Sequence, residues 1–123
     1  MRSIRVDEAP GPIGPYSQAV ECQGLVFCSG QLGIVPEDGT LPSGTEAQAR
    51  QALLNLQAVL RGAGSSLSKA LRVTVYLTDL GDFSSVNQVY AEFFTEPFPA
   101  RTAVQVAALP KGAAVEIDVI ATR

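Results

Sequence analysis

Histidine and tryptophan are absent from the 123 residues, and cysteine appears only twice. Without an imidazole, a Ser-His-Asp triad and histidine acid-base work near neutral pH are excluded. Cys22 and Cys28 lack the close spacing of a zinc site, and no histidine is available to complete one, so no metal is expected. Basic residues are also few: 9 Lys and Arg against 12 Asp and Glu give a net charge of −3 with no basic cluster. Nucleic acid is therefore not an expected partner, since phosphate neutralisation by Lys and Arg supplies most of that affinity. No uninterrupted apolar run approaches membrane-spanning length, and residues 1–7 contain no apolar leader core. A soluble, cytoplasmic protein with no membrane partner is expected.

The chain is nonetheless apolar for its size, with 46% hydrophobic residues and a mean hydropathy of +0.19. It falls within the length of one domain and shows no linker, so residues 1–123 are expected to share one core. A body this small exposes much of its surface, and part of that apolar area is expected to meet another subunit.

Three prolines and two glycines between positions 8 and 15 imply a fixed, extended loop, from which Tyr16 emerges. Strand-like runs at 17–21 and 25–30 flank Gln23-Gly24, and a third at 32–35 precedes a turn-rich loop at 36–44, which together suggest an antiparallel meander. A two-residue turn at Gln23-Gly24 sets Cys22 opposite Leu25 and Cys28 opposite Ala19, so the sulfurs are not partners and are expected as reduced, buried thiols. Thr45 and Gln48 fit a capping box, followed by Ala49, Ala52, Leu53, Leu56, Val59 and Leu60 at helical spacing until Gly62 and Gly64. Leu71, Val73, Val75 and Leu77 then alternate with Arg72, Thr74 and Tyr76, the period of a half-buried strand. Asp82 is placed to cap a second helix with Phe83, Val86, Tyr90 and Phe93 on one face, which Pro97 and Pro99 stop. Strands near 102–106 and 115–122 close the chain around Leu109-Pro110-Lys111-Gly112. The order is β-β-β-α-β-α-β-β, with two helices on one sheet face and the other face bare unless copies associate.

Four places depart from an ordinary core-and-surface pattern. They are Gly14-Pro15-Tyr16-Ser17, Ser29-Gly30-Gln31 at a strand end, Asn87 within the second helix, and Arg101 with Glu116 fifteen residues further on. Arg101 stands in Phe98-Pro99-Ala100-Arg101-Thr102-Ala103-Val104, where a guanidinium among apolar neighbours suits a bidentate carboxylate clamp. Each also has an ordinary reading as a turn, a core aromatic, a bulge, or a solvated side chain.

Taken together, the segments resemble one family over nearly the whole length. They are Ala9-Pro10-Gly11-Pro12-Ile13-Gly14-Pro15-Tyr16-Ser17-Gln18-Ala19; Ser29-Gly30-Gln31; Asp79-Leu80-Gly81-Asp82-Phe83 with Val86-Asn87; and Phe98-Pro99-Ala100-Arg101 through Leu109-Pro110-Lys111-Gly112 to Glu116. The chain is similar to the RidA/YjgF/translation-inhibitor proteins, the reactive intermediate deaminases. The resemblance implies an α+β, chorismate-mutase-like fold with a mixed six-stranded sheet and a homotrimer with sites between subunits. It also implies cofactor-free hydrolysis of 2-imino acids such as 2-iminobutanoate and 2-iminopropanoate to 2-oxo acids and ammonia. By position, Arg101 would hold the substrate carboxylate and Glu116 would position or activate water. Tyr16, Ser29, Gly30, Asn87 and Ala103 would line the pocket. Where some relatives carry a cysteine two residues after the arginine, this chain has Ala103, and its 95–98 connection is short. A non-enzymatic small-molecule-binding or chaperone-like regulatory module using the same pocket is the alternative. RNA cleavage ranks last, because the chain has neither a histidine nor a basic stripe.

Overall fold

The computed structural model describes residues 1–123. Its elements are β1 (Arg2–Ile4), β2 (Ala19–Cys22), β3 (Leu25–Cys28), β4 (Gln31–Leu32), α1 (Thr45–Gly62), β5 (Ala70–Leu77), α2 (Phe83–Phe93), β6 (Ala100–Gln105) and β7 (Val115–Thr122). All the strands belong to one sheet of order β1-β2-β3-β7-β5-β6, in which β4 also pairs with β7. β5 and β6 run parallel, connected through α2, and the other pairs are antiparallel. The sheet is therefore mixed, and the α+β architecture with helices packed on one face agrees with the sequence reading.

Alternation along β5 and β7 creates that single covered face. Val73, Val75 and Leu77 on β5 and Val115, Ile117, Val119 and Ala121 on β7 are fully buried. They join Ala49, Ala52, Leu53, Leu56, Val59 and Leu60 of α1 and Val86, Val89 and Tyr90 of α2 in one cluster. Each fully buried Val, Leu or Ile contributes about 1.5–3 kcal/mol, so this face decides the register. The intervening Thr74, Tyr76, Glu116, Asp118 and Ile120 lie on the opposite face, which no helix of this chain covers.

Several local expectations are corrected. The sheet has a seventh strand: β1, too short to show a period, pairs with β2 and places Ile4 in the core. The hairpin at Gln23-Gly24 has the predicted register, Cys22 opposite Leu25 and Ala19 opposite Cys28. The third strand, expected at 32–35 in a meander, is instead the two-residue β4 paired with β7. Beyond it the chain is held by a helix: buried Asn55 of α1 donates from Nδ2 to the carbonyls of Leu32 at 3.1 Å and Ile34 at 2.9 Å. Leu71 leaves the alternation as the extra residue of a bulge between Ala70 and Arg72, and is 47% exposed. α2 stops at Phe93, ahead of its prolines, because Phe94 turns extended and stacks on Tyr90 in the core.

The predicted capping box is absent. Gly44 occupies the N-cap, and Thr45, the first helical residue, donates from Oγ1 to Asp82 Oδ2 at 2.8 Å, tying the starts of the two helices together. Asp82 stands at the N-cap of α2 without a capping hydrogen bond, while Asp79 caps the preceding turn through Gly81 N–H. Gln48 faces inward, donating to the Pro42 carbonyl and accepting from Ala114 N–H just before β7.

Both cysteines are free, but Cys22 is exposed rather than buried. Burial, and then the charge of Asp118, push the Cys28 thiol up to about 12. The thiolate is the nucleophile, so at pH 8 one thiol, Cys22, should react promptly with a disulfide reagent and the second only after denaturation. Two rapid equivalents in the native protein would contradict this burial. A second test concerns Gly33, where an added Cβ would lie 2.3 Å from the Gln48 carbonyl oxygen, a backbone atom with no room to yield. Gly33→Ala should cost about 1–3 kcal/mol of stability in urea unfolding, the usual penalty of overpacking.

Candidate functional site

Two anchored segments bring the first set of candidate residues together. Gln18, 1% exposed, accepts from Val6 N–H at 2.7 Å through Oε1, while its Nε2 faces the carbonyls of Val6, Ala9 and Pro10. These bonds hold the proline-rich loop against the sheet edge and fix the point from which Tyr16 emerges. The Tyr16 hydroxyl oxygen accepts from Ile13 N–H at 3.3 Å. Between β3 and β4 the chain breaks at Ser29-Gly30, where Ser29 N–H donates to the Gln18 carbonyl and its hydroxyl to the Ser17 carbonyl.

Gly30 then passes so close to β7 that a Cβ there would lie 2.6 Å from Glu116 Oε2. The result is a cleft of about 360 Å³ lined by Tyr16, Gly30, Gln31, Lys111 and Glu116, with Ile13 and Ile34 on its walls. Burial is the larger cause and Asp118, two residues along the same face, the smaller; both push the Glu116 carboxyl above its ordinary value. Asp118 itself accepts from the Tyr76 hydroxyl at 3.1 Å.

The second set lies on the other side of the sheet. Parallel pairing sets Arg101 beside Val73, on the helix-covered face, whereas Glu116 pairs with Tyr76 on the bare face. Arg101 Nη1 donates to Asn87 Oδ1 at 2.7 Å, and its guanidinium carbon stands 4.7 Å from the Tyr90 ring centre and 5.2 Å from that of Phe83. No carboxylate pairs with it: the ion pairs of the chain join Arg2 and Arg123 to Glu21 and Arg50 to Glu92. Arg101 and Asn87 open onto a separate cleft of about 490 Å³ with Tyr90, Ala91, Phe98 and Pro99.

The predicted residues thus form two groups. Tyr16, Gly30 and Glu116 share one cleft, Asn87 and Arg101 share another, and the two clefts have no lining residue in common. Ser29 and Ala103 line neither; the Ser29 hydroxyl is engaged by Ser17, and Ala103 packs against the core. Lys111, Phe83 and Tyr90 were missed as site residues. In the sequence, Lys111 read as part of a turn and the two aromatics as a core-facing stripe, and only their spacing from Asn87 by four and three residues hinted at a shared helix face.

If contact with Gly30 keeps Glu116 out of water, Gly30→Ala should push the carboxylate outward, because the blocking atoms end a flexible side chain. In an NMR titration of the side-chain carboxyl, the Glu116 pKa should fall back toward the ordinary glutamate value while the thermal midpoint barely moves. An unchanged titration would show that this contact is not what buries the group.

The sequence profile of the family described as Endoribonuclease L-PSP matches residues 6–123. The chain is 49% identical over 123 residues to a goat (Capra hircus) protein named 2-iminobutanoate/2-iminopropanoate deaminase, covering 99% of this chain and 90% of the relative. Among solved structures, RidA from an Antarctic Psychrobacter superposes with a TM-score of 0.98 at 47% identity, each chain fully covered. Escherichia coli TdcF with bound serine gives 0.95 at 41% identity, over 100% of this chain and 99% of that one. With a profile match over residues 6–123 and relatives this similar over nine-tenths or more of their length, the chain belongs to the RidA/YjgF family.

Proposed function

We propose that the protein hydrolyses reactive 2-imino acids, 2-iminobutanoate and 2-iminopropanoate among them, to 2-oxo acids and ammonia. The observation that carries this reading is Arg101, a cation held by neutral partners only and so left to bind an anion. The deaminase names of similar proteins supply the substrate class. Because Arg101 and Glu116 stand on opposite faces and in separate clefts, the reading needs a second copy of the chain; we place the copies in a homotrimer, where one presents Arg101 and Asn87 to another's Tyr16, Gly30 and Glu116.

Chemically, the substrate carboxylate binds the guanidinium fork while the C=N carbon faces water beside Glu116. As the water oxygen bonds to the carbon, the C=N π pair moves onto nitrogen and Glu116 takes the water's proton. Glu116 passes that proton to the amine nitrogen of the carbinolamine. The hydroxyl then gives its own proton back to Glu116 as C=O forms, the C–N bond breaks, and ammonia leaves the 2-oxo acid, carrying away the last proton. One carboxylate assisting water attack contributes roughly 10² to 10⁴ in rate, which suffices for an already electrophilic iminium carbon. A carboxyl pushed above its ordinary value is the better base, provided it remains ionised at the working pH. The reaction asks for no cofactor.

Arg101→Ala should cost about 2–5 kcal/mol in kcat/KM, the usual cost of truncating one member of a charge contact that, in the proposed assembly, is buried between two copies. Glu116→Gln should lower kcat more than affinity for a 2-oxo acid. Mixing the two inactive variants after mild dissociation tests the arrangement directly: with random reassortment, about a quarter of the sites receive both intact halves and activity returns. Hybrids as inactive as their parents would contradict a site shared between copies. An Arg101→Ala variant with full rates would contradict the clamp, and tight 2-oxo acid binding without imine turnover would indicate the regulatory binding module instead.

A further inference from the structure

The setting of Arg101 is more specific than a lone exposed cation needs. Phe83, Asn87 and Tyr90 follow one another at i, i+4 and i+7 and form one stripe along α2 that meets Arg101 of β6. The stripe contacts the guanidinium in two different ways. The rings of Phe83 and Tyr90 face the guanidinium carbon from 5.2 Å and 4.7 Å, inside the range of about 6 Å where a ring attracts a cation. Asn87 takes one terminal nitrogen through Oδ1, and neither Nη2 nor Nε has a protein partner. The group is therefore held by two ring contacts and one hydrogen bond, with the remaining donors left free.

We propose that Phe83 and Tyr90 are positioning residues for the Arg101 clamp: their rings set the plane of the guanidinium so that its free edge meets the substrate carboxylate already oriented. This rests on the clamp reading above and adds to it which residues set the clamp's geometry. The physical gain is preorganisation. A free arginine samples many rotamers and loses that freedom on binding, whereas one held over two rings has lost much of it before the anion arrives. The rings add no charge that would compete for the guanidinium, as a carboxylate at either position would. Phe94 in turn stacks on Tyr90 at 4.4 Å between ring centres, fixing the platform from behind. The Tyr90 hydroxyl is buried without a hydrogen-bond partner, so the ring face and not the hydroxyl does the positioning.

The test uses Phe83→Leu, Tyr90→Leu and Tyr90→Phe, each in the full-length protein and again with Arg101→Lys. Initial rates are measured on 2-iminobutanoate generated in situ, and 2-oxobutanoate binding by calorimetry. Each leucine variant should raise KM and weaken 2-oxo acid binding about two- to fivefold with kcat nearly unchanged, the size expected of an exposed cation–ring contact. Tyr90→Phe, which keeps the ring, should recover most of the KM and binding lost in Tyr90→Leu. In the Arg101→Lys background the leucine effects should shrink, since an ammonium has no plane to set. Rings that only pack the core would lower the unfolding midpoint yet change KM by the same factor in both backgrounds; that outcome, or unaltered KM in the leucine variants, overturns the proposal. Should Tyr90→Leu not fold, half-buried Phe83 carries the test. Arg101→Ala separates the two readings: full rates there sink the clamp itself, whereas an inactive Arg101→Ala beside wild-type leucine variants sinks only the platform.

Discussion

Everything else in the molecule depends on the pleat of the two central strands. Val73 lies opposite Val119, Val75 opposite Ile117 and Leu77 opposite Val115, six side chains with no exposed surface. Because side chains alternate with a period of two, those pairs force Thr74 and Asp118, and Tyr76 and Glu116, onto the other face. A slip of one residue would trade a row of buried aliphatic groups for two carboxylates, at a cost far above the gain from any one polar contact. The same pleat carried across to β6 sets Arg101 against α2. The separation of Arg101 from Glu116 is thus imposed by the core and cannot be undone by moving a side chain.

Onto that rigid sheet the functional loops are fixed by neutral amides rather than ion pairs. Gln18 holds the proline-rich loop, Gln48 the entry to β7, and Asn55 the stretch after β4. An amide both donates and accepts, so it satisfies backbone groups of either kind without the desolvation cost of burying a charge. Glycine supplies the rest: Gly33 lets β4 lie against the α1 backbone, and Gly30 lets the chain pass over Glu116. The ion pairs of the chain stay at its periphery, leaving Arg101 and Glu116 unneutralised by neighbours.

Periodicity made most of this architecture legible. The alternation from Val73 to Leu77, the α1 stripe and the Gln23-Gly24 turn each have a single geometric solution, and each appears in the predicted register. What escaped were features decided by distant partners. Leu71 bulges out at a register shift no local pattern marks, and the 32–35 run yields most of its ladder to Asn55, twenty or more residues away. Thr45 and Gln48 have the spacing of a capping box, but Asp82 and Ala114 outcompete the helix end for their side chains. For the site, the sequence pointed to Arg101, Asn87, Tyr16, Gly30 and Glu116. It did not show that they belong to two clefts, nor that burial and Asp118 raise the Glu116 pKa.

The two clefts of one chain are opposite in electrostatic character, an unpaired guanidinium in one and a raised carboxyl in the other. On the bare face, Glu116 and Asp118 place two carboxyl groups side by side, flanked by apolar Phe27 and Ile120. Covering such a face raises the cost of ionising Glu116 unless positive charge arrives with the cover. On the proposed function, a protonated 2-imino acid would bring it, its carboxylate to the guanidinium of one copy and its iminium to the carboxylate of the next. Substrate binding would then lower the Glu116 pKa when a base is needed, and release of a 2-oxo acid, which lacks the iminium, would let it rise again. On the proposed reading, the raised resting pKa is what makes this carboxylate responsive to the charge of the molecule it acts on.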